Sequence, residues 1–138
     1  MSHKFLNPEK IHNPVPFGYS HVIAISPNDY DFVLISGQWA SNTDGTVPNI
    51  EFPQQVKRSF DNLKSALESA GHDFASVIQI RTYIVDINEE KTAELAAVVK
   101  RTWGENPPTH TLVGVSGLAM GTMHFEIEAV SAKPRKSQ

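Results

Sequence analysis

Cysteine is absent from the 138 residues. That removes disulfides, thiolate nucleophiles and cysteine-based zinc sites, and it fits a reducing compartment. No run of about 18 apolar residues occurs, so no transmembrane helix is expected. The opening residues Met1 to Pro8 lack the apolar core of a signal peptide, which points to a cytoplasmic protein. Positive charge is in short supply too. Twelve Lys and Arg against 15 Asp and Glu leave a net charge of −3, which argues against an extended nucleic-acid surface. The one basic cluster, Lys133 with Arg135 and Lys136, sits in the last six residues and reads as a solvated tail.

Familiar catalytic and cofactor motifs are also missing. Gly114, Gly117 and Gly121 make no dinucleotide fingerprint, because no helix-period pattern follows them. His110 with Ser36, or Ser20 with His21, would pair a base with a nucleophile, but no Gly-x-Ser-x-Gly elbow frames either hydroxyl. His124, Glu126 and Glu128 alternate along one strand at about 6.5–7 Å, too far apart to share one ion without a bend. No metal and no cofactor is expected. His3, His12 and His72 lie beside predicted loops and are assigned no role.

What is present is the composition of a soluble globular protein, 40% hydrophobic and 20% charged. One domain over residues 1–138 is expected, with residues 1–14 an extended segment broken by prolines and residues 132–138 a tail. Tyr19 to Ser26 and Phe32 to Gln38 read as two strands paired antiparallel across the Pro27-Asn28-Asp29 turn. A helix follows from Pro53. Val56, Phe60, Leu63, Leu67 and Ala70 recur at helical spacing, and Gly71 suits the residue past its end. Val77 to Val85 alternates Ile78, Ile80 and Ile84 with Gln79, Arg81 and Tyr83, the pattern of a strand. Asn88 caps a second helix whose apolar side is Leu95, Val98, Val99 and Trp103, ended by Gly104.

Two last strands are expected to form a β-hairpin. His110 to Val115 leads out after Pro107-Pro108, and Met123 to Val130 returns, with Met123, Phe125, Ile127 and Ala129 facing inward. The order β-β-α-β-α-β-β implies an α+β fold, a mixed sheet with both helices on one face. The uncovered face would display Gln79, Arg81, Tyr83, His124, Glu126 and Glu128, a surface suited to self-association. Glu126 on that face and His110 at a strand entrance are where chemistry is sought.

Several segments, taken in order, resemble the RidA/YjgF family of small reactive-imine deaminases. They are Phe17-Gly18-Tyr19-Ser20, Ile35-Ser36-Gly37-Gln38, Phe60-Asp61-Asn62-Leu63, Ser69-Ala70-Gly71, Tyr83-Ile84-Val85-Asp86 and Phe125 to Val130, spanning roughly residues 15–131. The resemblance implies a chorismate-mutase-like fold and a homotrimer whose sheets pack into a central barrel, with small-molecule clefts between subunits. It implies hydrolysis of a 2-imino acid or enamine to a 2-oxo acid and ammonia. Tyr19, Ser36, Gly37 and Glu126 match cleft positions, with Glu126 handling the attacking water and Tyr19 contributed across the interface. The family's Pro-Ala-Arg reads Pro108-Thr109-His110 here, its cleft cysteine corresponds to Leu112, and a cleft asparagine aligns with Glu94. Arginine grips a carboxylate with two prongs, whereas a histidine is mostly neutral at pH 7 and offers one donor per ring nitrogen. The implied enzyme therefore acts on a substrate other than the usual 2-imino acid. A noncatalytic small-molecule-binding trimer is the alternative, and the ribonuclease role attached to the family is disfavoured by the acidic balance.

Overall fold

The computed structural model, which describes residues 4–17, 19–24 and 27–135, places six β-strands and two α-helices among those residues, besides three short 3-10 turns. The strands and helices are β1 (Lys4–Leu6), β2 (Val22–Ala24), β3 (Tyr30–Gln38), α1 (Phe52–Ser69), β4 (Val77–Val85), α2 (Glu89–Trp103), β5 (Thr109–Val115) and β6 (Phe125–Pro134). No helix among the described residues is long and apolar enough to cross a membrane. His3, Lys136 and the end of the expected first strand, Ile25 and Ser26, lie outside the described residues.

Both helices form where periodicity and caps place them. In α1 the Gln54 side chain accepts from the Glu51 backbone N–H at 3.1 Å, and Pro53 sits in the first turn, where its missing N–H costs nothing. Val56, Phe60, Leu63 and Leu67 are buried, but Ala70 caps the helix and is exposed. Gly71 follows at φ +74°, the left-handed conformation that glycine adopts without strain. Asn88 accepts from the Lys91 N–H at 2.8 Å and so caps α2, which buries Leu95 and Val99 and ends at Gly104.

The sheet departs from expectation in two ways. The order is β3-β6-β4-β5, so no hairpin joins β5 to β6. Instead β5 pairs parallel with β4, and β6 inserts antiparallel between β3 and β4. The helix α2 makes the parallel pairing possible, because a strand can return parallel to its predecessor only through a long crossover. Secondly, Val22–Ala24 does not join Phe32–Gln38. It pairs with Lys4–Leu6 in a separate two-stranded sheet, which gives part of the expected extended segment a partner. β6 also continues into the expected tail as far as Pro134. The tail's charges are used there: Lys133 donates to the Gly71 carbonyl at 2.7 Å and Arg135 pairs with Asp31 at 2.9 Å.

One face of this sheet meets both helices. Ile35, Val77, Ile80, Ile84, Phe125, Ile127 and Ala129 pack with Val56, Phe60, Leu63, Leu67, Leu95 and Val99 in one cluster. A register shift between Val77 and Gln79 rotates Ile78 out of the buried set, and Thr82 takes the place between Ile80 and Ile84. The opposite face is open. It carries Arg81, Tyr83, Glu126 and Glu128, but also Leu34 at 81% exposure and Phe32 at 47%.

His72, assigned no role from sequence, is buried just past α1. Its Nδ1 lies 2.7 Å from the Ser131 hydroxyl on β6, which in turn donates to Ser76 at 2.9 Å. Burial, assisted by nearby Lys133, holds its pKa below the usual histidine value. A base depressed in this way contributes stability above the unfolded-state value of about 6.5, and that contribution is lost as pH falls through the folded value. Melting temperature is therefore expected to fall between pH 7.5 and pH 5 in the wild-type chain. The His72→Asn variant should lose that part of the acid dependence, and equal pH slopes in the two proteins would refute the assignment.

Candidate functional site

Glu126 is seated by a break in β3. The β3–β6 register shifts between Ile35, opposite Ala129, and Gln38, opposite Ile127, so Ser36 and Gly37 form a bulge opposite Glu128, and the Glu126 side chain reaches across to it. A Cβ at position 37 would stand 1.7 Å from Glu126 Oε1 and 2.5 Å from its Cδ. The carboxyl therefore lies directly over the Gly37 backbone, in space that only glycine leaves empty. Burial and, secondarily, the charge of Glu128 hold the Glu126 pKa above the usual carboxylate range.

Helix α1 pins the chain on both sides of this seat. The buried Gln55 side chain donates to the Thr122 carbonyl and accepts from the His124 N–H, each at 2.9 Å, just before β6 begins. Asn62 donates to the Trp39 carbonyl at 2.7 Å, just after β3 ends. These bonds fix the two strand ends between which the carboxyl sits. His124 falls ahead of β6 and not within it, a correction to the expected alternation.

His110 belongs to a different face. It stands opposite Ile80 in the parallel β4–β5 register, and its Nε2 lies 2.8 Å from the hydroxyl of buried Thr82. Ile80 and Thr82 point towards the helices, while Glu126 stands opposite Tyr83 on the open face. Within one chain His110 and Glu126 therefore do not converge. Leu112, opposite Thr82, shares the side of His110. Tyr19 lies near the entrance to β5, because Ser20 donates its N–H to the Pro108 carbonyl at 2.9 Å and its hydroxyl to the Pro107 carbonyl. The Tyr19 hydroxyl is hydrogen-bonded to His12, whose ring also packs edge-on against that of His21.

Both nucleophile–base pairings raised by the sequence fail in this geometry. Ser36 and His110 sit on strands at opposite edges of the sheet. The Ser20 hydroxyl is committed to Pro107, and His21 Nε2 to the His12 carbonyl at 2.8 Å. Glu94 does not join His110 either. It lines a groove of about 480 Å³ between α1 and α2, with Lys57, Asp61 and Arg101 at its rim.

The residues sequence reasoning passed over are Thr82, Gln55 and His12. Thr82 had a readable signal, since it is the polar member of the otherwise apolar series Ile80, Thr82, Ile84. The other two act on positions far along the chain or through a loop, where no periodicity marks them.

Residues 11–133 match the family model described as Endoribonuclease L-PSP. The RutC family protein YjgH of Escherichia coli is 35% identical over 107 residues, covering 77% of this chain and 79% of that protein. A RutC family protein of Pyrococcus abyssi is 30% identical over 122 residues, covering 87% of this chain and 91% of its own. Among solved structures, the Rid-family protein YyfB of Yersinia pestis, described as of unknown function, superposes with a TM-score of 0.87 at 31% identity, covering 95% of this chain and 98% of its own. With this family match along most of its length, and with the mixed sheet and paired helices of Rid structures, the chain belongs to the RidA/YjgF/RutC family.

Proposed function

We propose that this protein hydrolyses a small imine, enamine or related C–N bond in clefts formed between the subunits of a homotrimer. The observation that carries the reading is the Glu126 carboxyl, held over the Gly37 backbone with a raised pKa. A carboxylate of raised pKa is a stronger proton acceptor than an ordinary one. Glu126 takes a proton from water as its oxygen attacks the C=N carbon and passes it to nitrogen to give the carbinolamine; it then takes the carbinolamine hydroxyl proton and delivers it to the same nitrogen as the C–N bond breaks and the carbonyl forms. The products are a carbonyl compound and ammonia or an amine.

The opposed placement of the two half-sites supports a shared cleft. One chain brings Ser36, Gly37 and Glu126, and its neighbour brings Tyr19 and His110, while Leu112 packs against its own core. Exposed Leu34, Phe32 and Val113 on the open sheet face supply apolar surface of the kind that copies of the chain bury against one another. With a histidine where the family carries an arginine, the ligand is a poorer match to an α-carboxylate and a better one to a neutral imine. RNA cleavage, the activity in the matching family's description, is disfavoured by the net charge of −3 and by the carboxylates on the open face.

Light scattering coupled to size exclusion is expected to give a mass near three chains. Mixing and reassembling two impaired variants, Glu126→Gln and His110→Ala, should restore activity in about a quarter of clefts at equal proportions, since each cleft draws on two chains. A concentration-independent monomer would sink the shared cleft. Saturable binding of imine analogues without turnover would instead identify a binding module of the same fold.

A further inference from the structure

Glu126 shares its sheet face with a second carboxylate, Glu128, two residues further along β6. Their side chains project together, with Cα atoms about 6.5–7 Å apart. In the β4–β6 register Tyr83 stands opposite Glu126, and Arg81 stands opposite Glu128. An arginine facing a glutamate directly across a sheet is placed to pair with it. Yet the ion pairs among the described residues are Lys57–Asp61 and Arg135–Asp31. Glu128 Oε1 instead accepts the Tyr83 hydroxyl, which reaches diagonally across the strands.

We propose that Tyr83 and Glu128 are positioning residues for Glu126. The phenol holds the second carboxylate beside the first and away from Arg81, so that the two carboxylates together bind a proton more tightly than either would alone. This rests on Glu126 being the group that handles water. The charged and titratable neighbours are few. β4 contributes Arg81 and Tyr83, the chain around β6 contributes Glu128 and His124, and the β3 bulge contributes only the uncharged Ser36 and Gly37. Burial raises Glu126 first and the charge of Glu128 adds to it, and the bond to Glu128 in turn raises Tyr83. Without the phenol, Glu128 would be free to turn to Arg81, and its charge would be neutralised beside Glu126.

The experiment is a carboxyl ¹³C NMR titration of the intact protein, with the Glu126 signal assigned by its disappearance in Glu126→Gln. In Glu128→Gln, which keeps the side-chain shape, the Glu126 midpoint is expected to fall by about half a pH unit or more. Tyr83→Phe should move it in the same direction, and Arg81→Gln should not lower it. Where turnover is measurable, the acidic limb of kcat/KM should follow these displacements while KM stays constant. An unmoved Glu126 midpoint in both Glu128→Gln and Tyr83→Phe would overturn the pair. Displaced midpoints in a protein whose imine turnover survives Glu126→Gln would uphold the pair and sink the functional reading.

Discussion

Exchanging Glu126 for glutamine is expected to lower imine turnover by about 10²- to 10⁴-fold, the usual contribution of a positioned proton-transfer group. Folding should not suffer. A carboxyl whose folded pKa is raised contributes stability below its unfolded value, and that contribution is lost as pH rises through the folded value. At pH 7.5 the neutral amide removes a half-buried charge, so the melting temperature of Glu126→Gln should equal or exceed that of the wild type. Gly37→Ala tests the seat and not the charge. The added methyl would fall on the free end of the Glu126 side chain, which can swing aside at little cost to the fold. Turnover should then collapse in a protein that keeps every carboxylate. Ammonia release from imines generated in solution measures both variants, and an unimpaired Gly37→Ala would show that the seat does not matter.

The opposite sign is expected at His110. Wild-type protein should hydrolyse 2-iminopropanoate poorly, and His110→Arg should hydrolyse it about 10- to 150-fold better. A charge-assisted grip on the carboxylate contributes roughly 1.5–3 kcal/mol, at about 1.4 kcal/mol per decade. The same change has a structural cost. Thr82 is fully buried, and His110 is its hydrogen-bond partner. An arginine turned to the ligand leaves that hydroxyl unpaired at a cost of about 1–3 kcal/mol. Activity should therefore rise as melting temperature falls, a pairing that a simple loss of packing would not produce. No gain in His110→Arg would mean that another group, such as Arg81, holds the carboxylate. Altering Glu94 should not add to the effect, since Glu94 faces α1 across the interhelical groove.

Helices and faces were legible in this sequence because their signals are local. Leu63 and Leu67 declare α1 by spacing alone, Asn88 declares the start of α2, and the alternation Phe125, Ile127, Ala129 assigns the dry side of β6 correctly. Strand partners were not legible, because adjacency along the chain was taken for adjacency in space. The clue lay in the order β4, α2, β5, a strand, helix and strand that favours parallel pairing and leaves β6 to find a place elsewhere. The candidate residues Glu126, Gly37 and Ser36 do gather at one break in the sheet. A β5–β6 hairpin would set His110 beside Glu126, and the parallel β4–β5 pairing does not. The true side of His110 follows only from its register with Ile80.

The insertion of β6 between β3 and β4 also dictates when this protein can acquire its structure. A chain emerging from the ribosome presents β3, α1 and β4 long before residues 125–134 are available. Until then neither strand has its central neighbour, and Leu34 lies on a strand with both edges bare. Local helix formation cannot close that gap, so the decisive contacts are distant in sequence and must wait for the synthesis of residues 125–134. Such a nascent chain carries a prolonged risk of pairing its open edges with a stranger. Truncation within β6 would not trim the protein but divide its sheet in two.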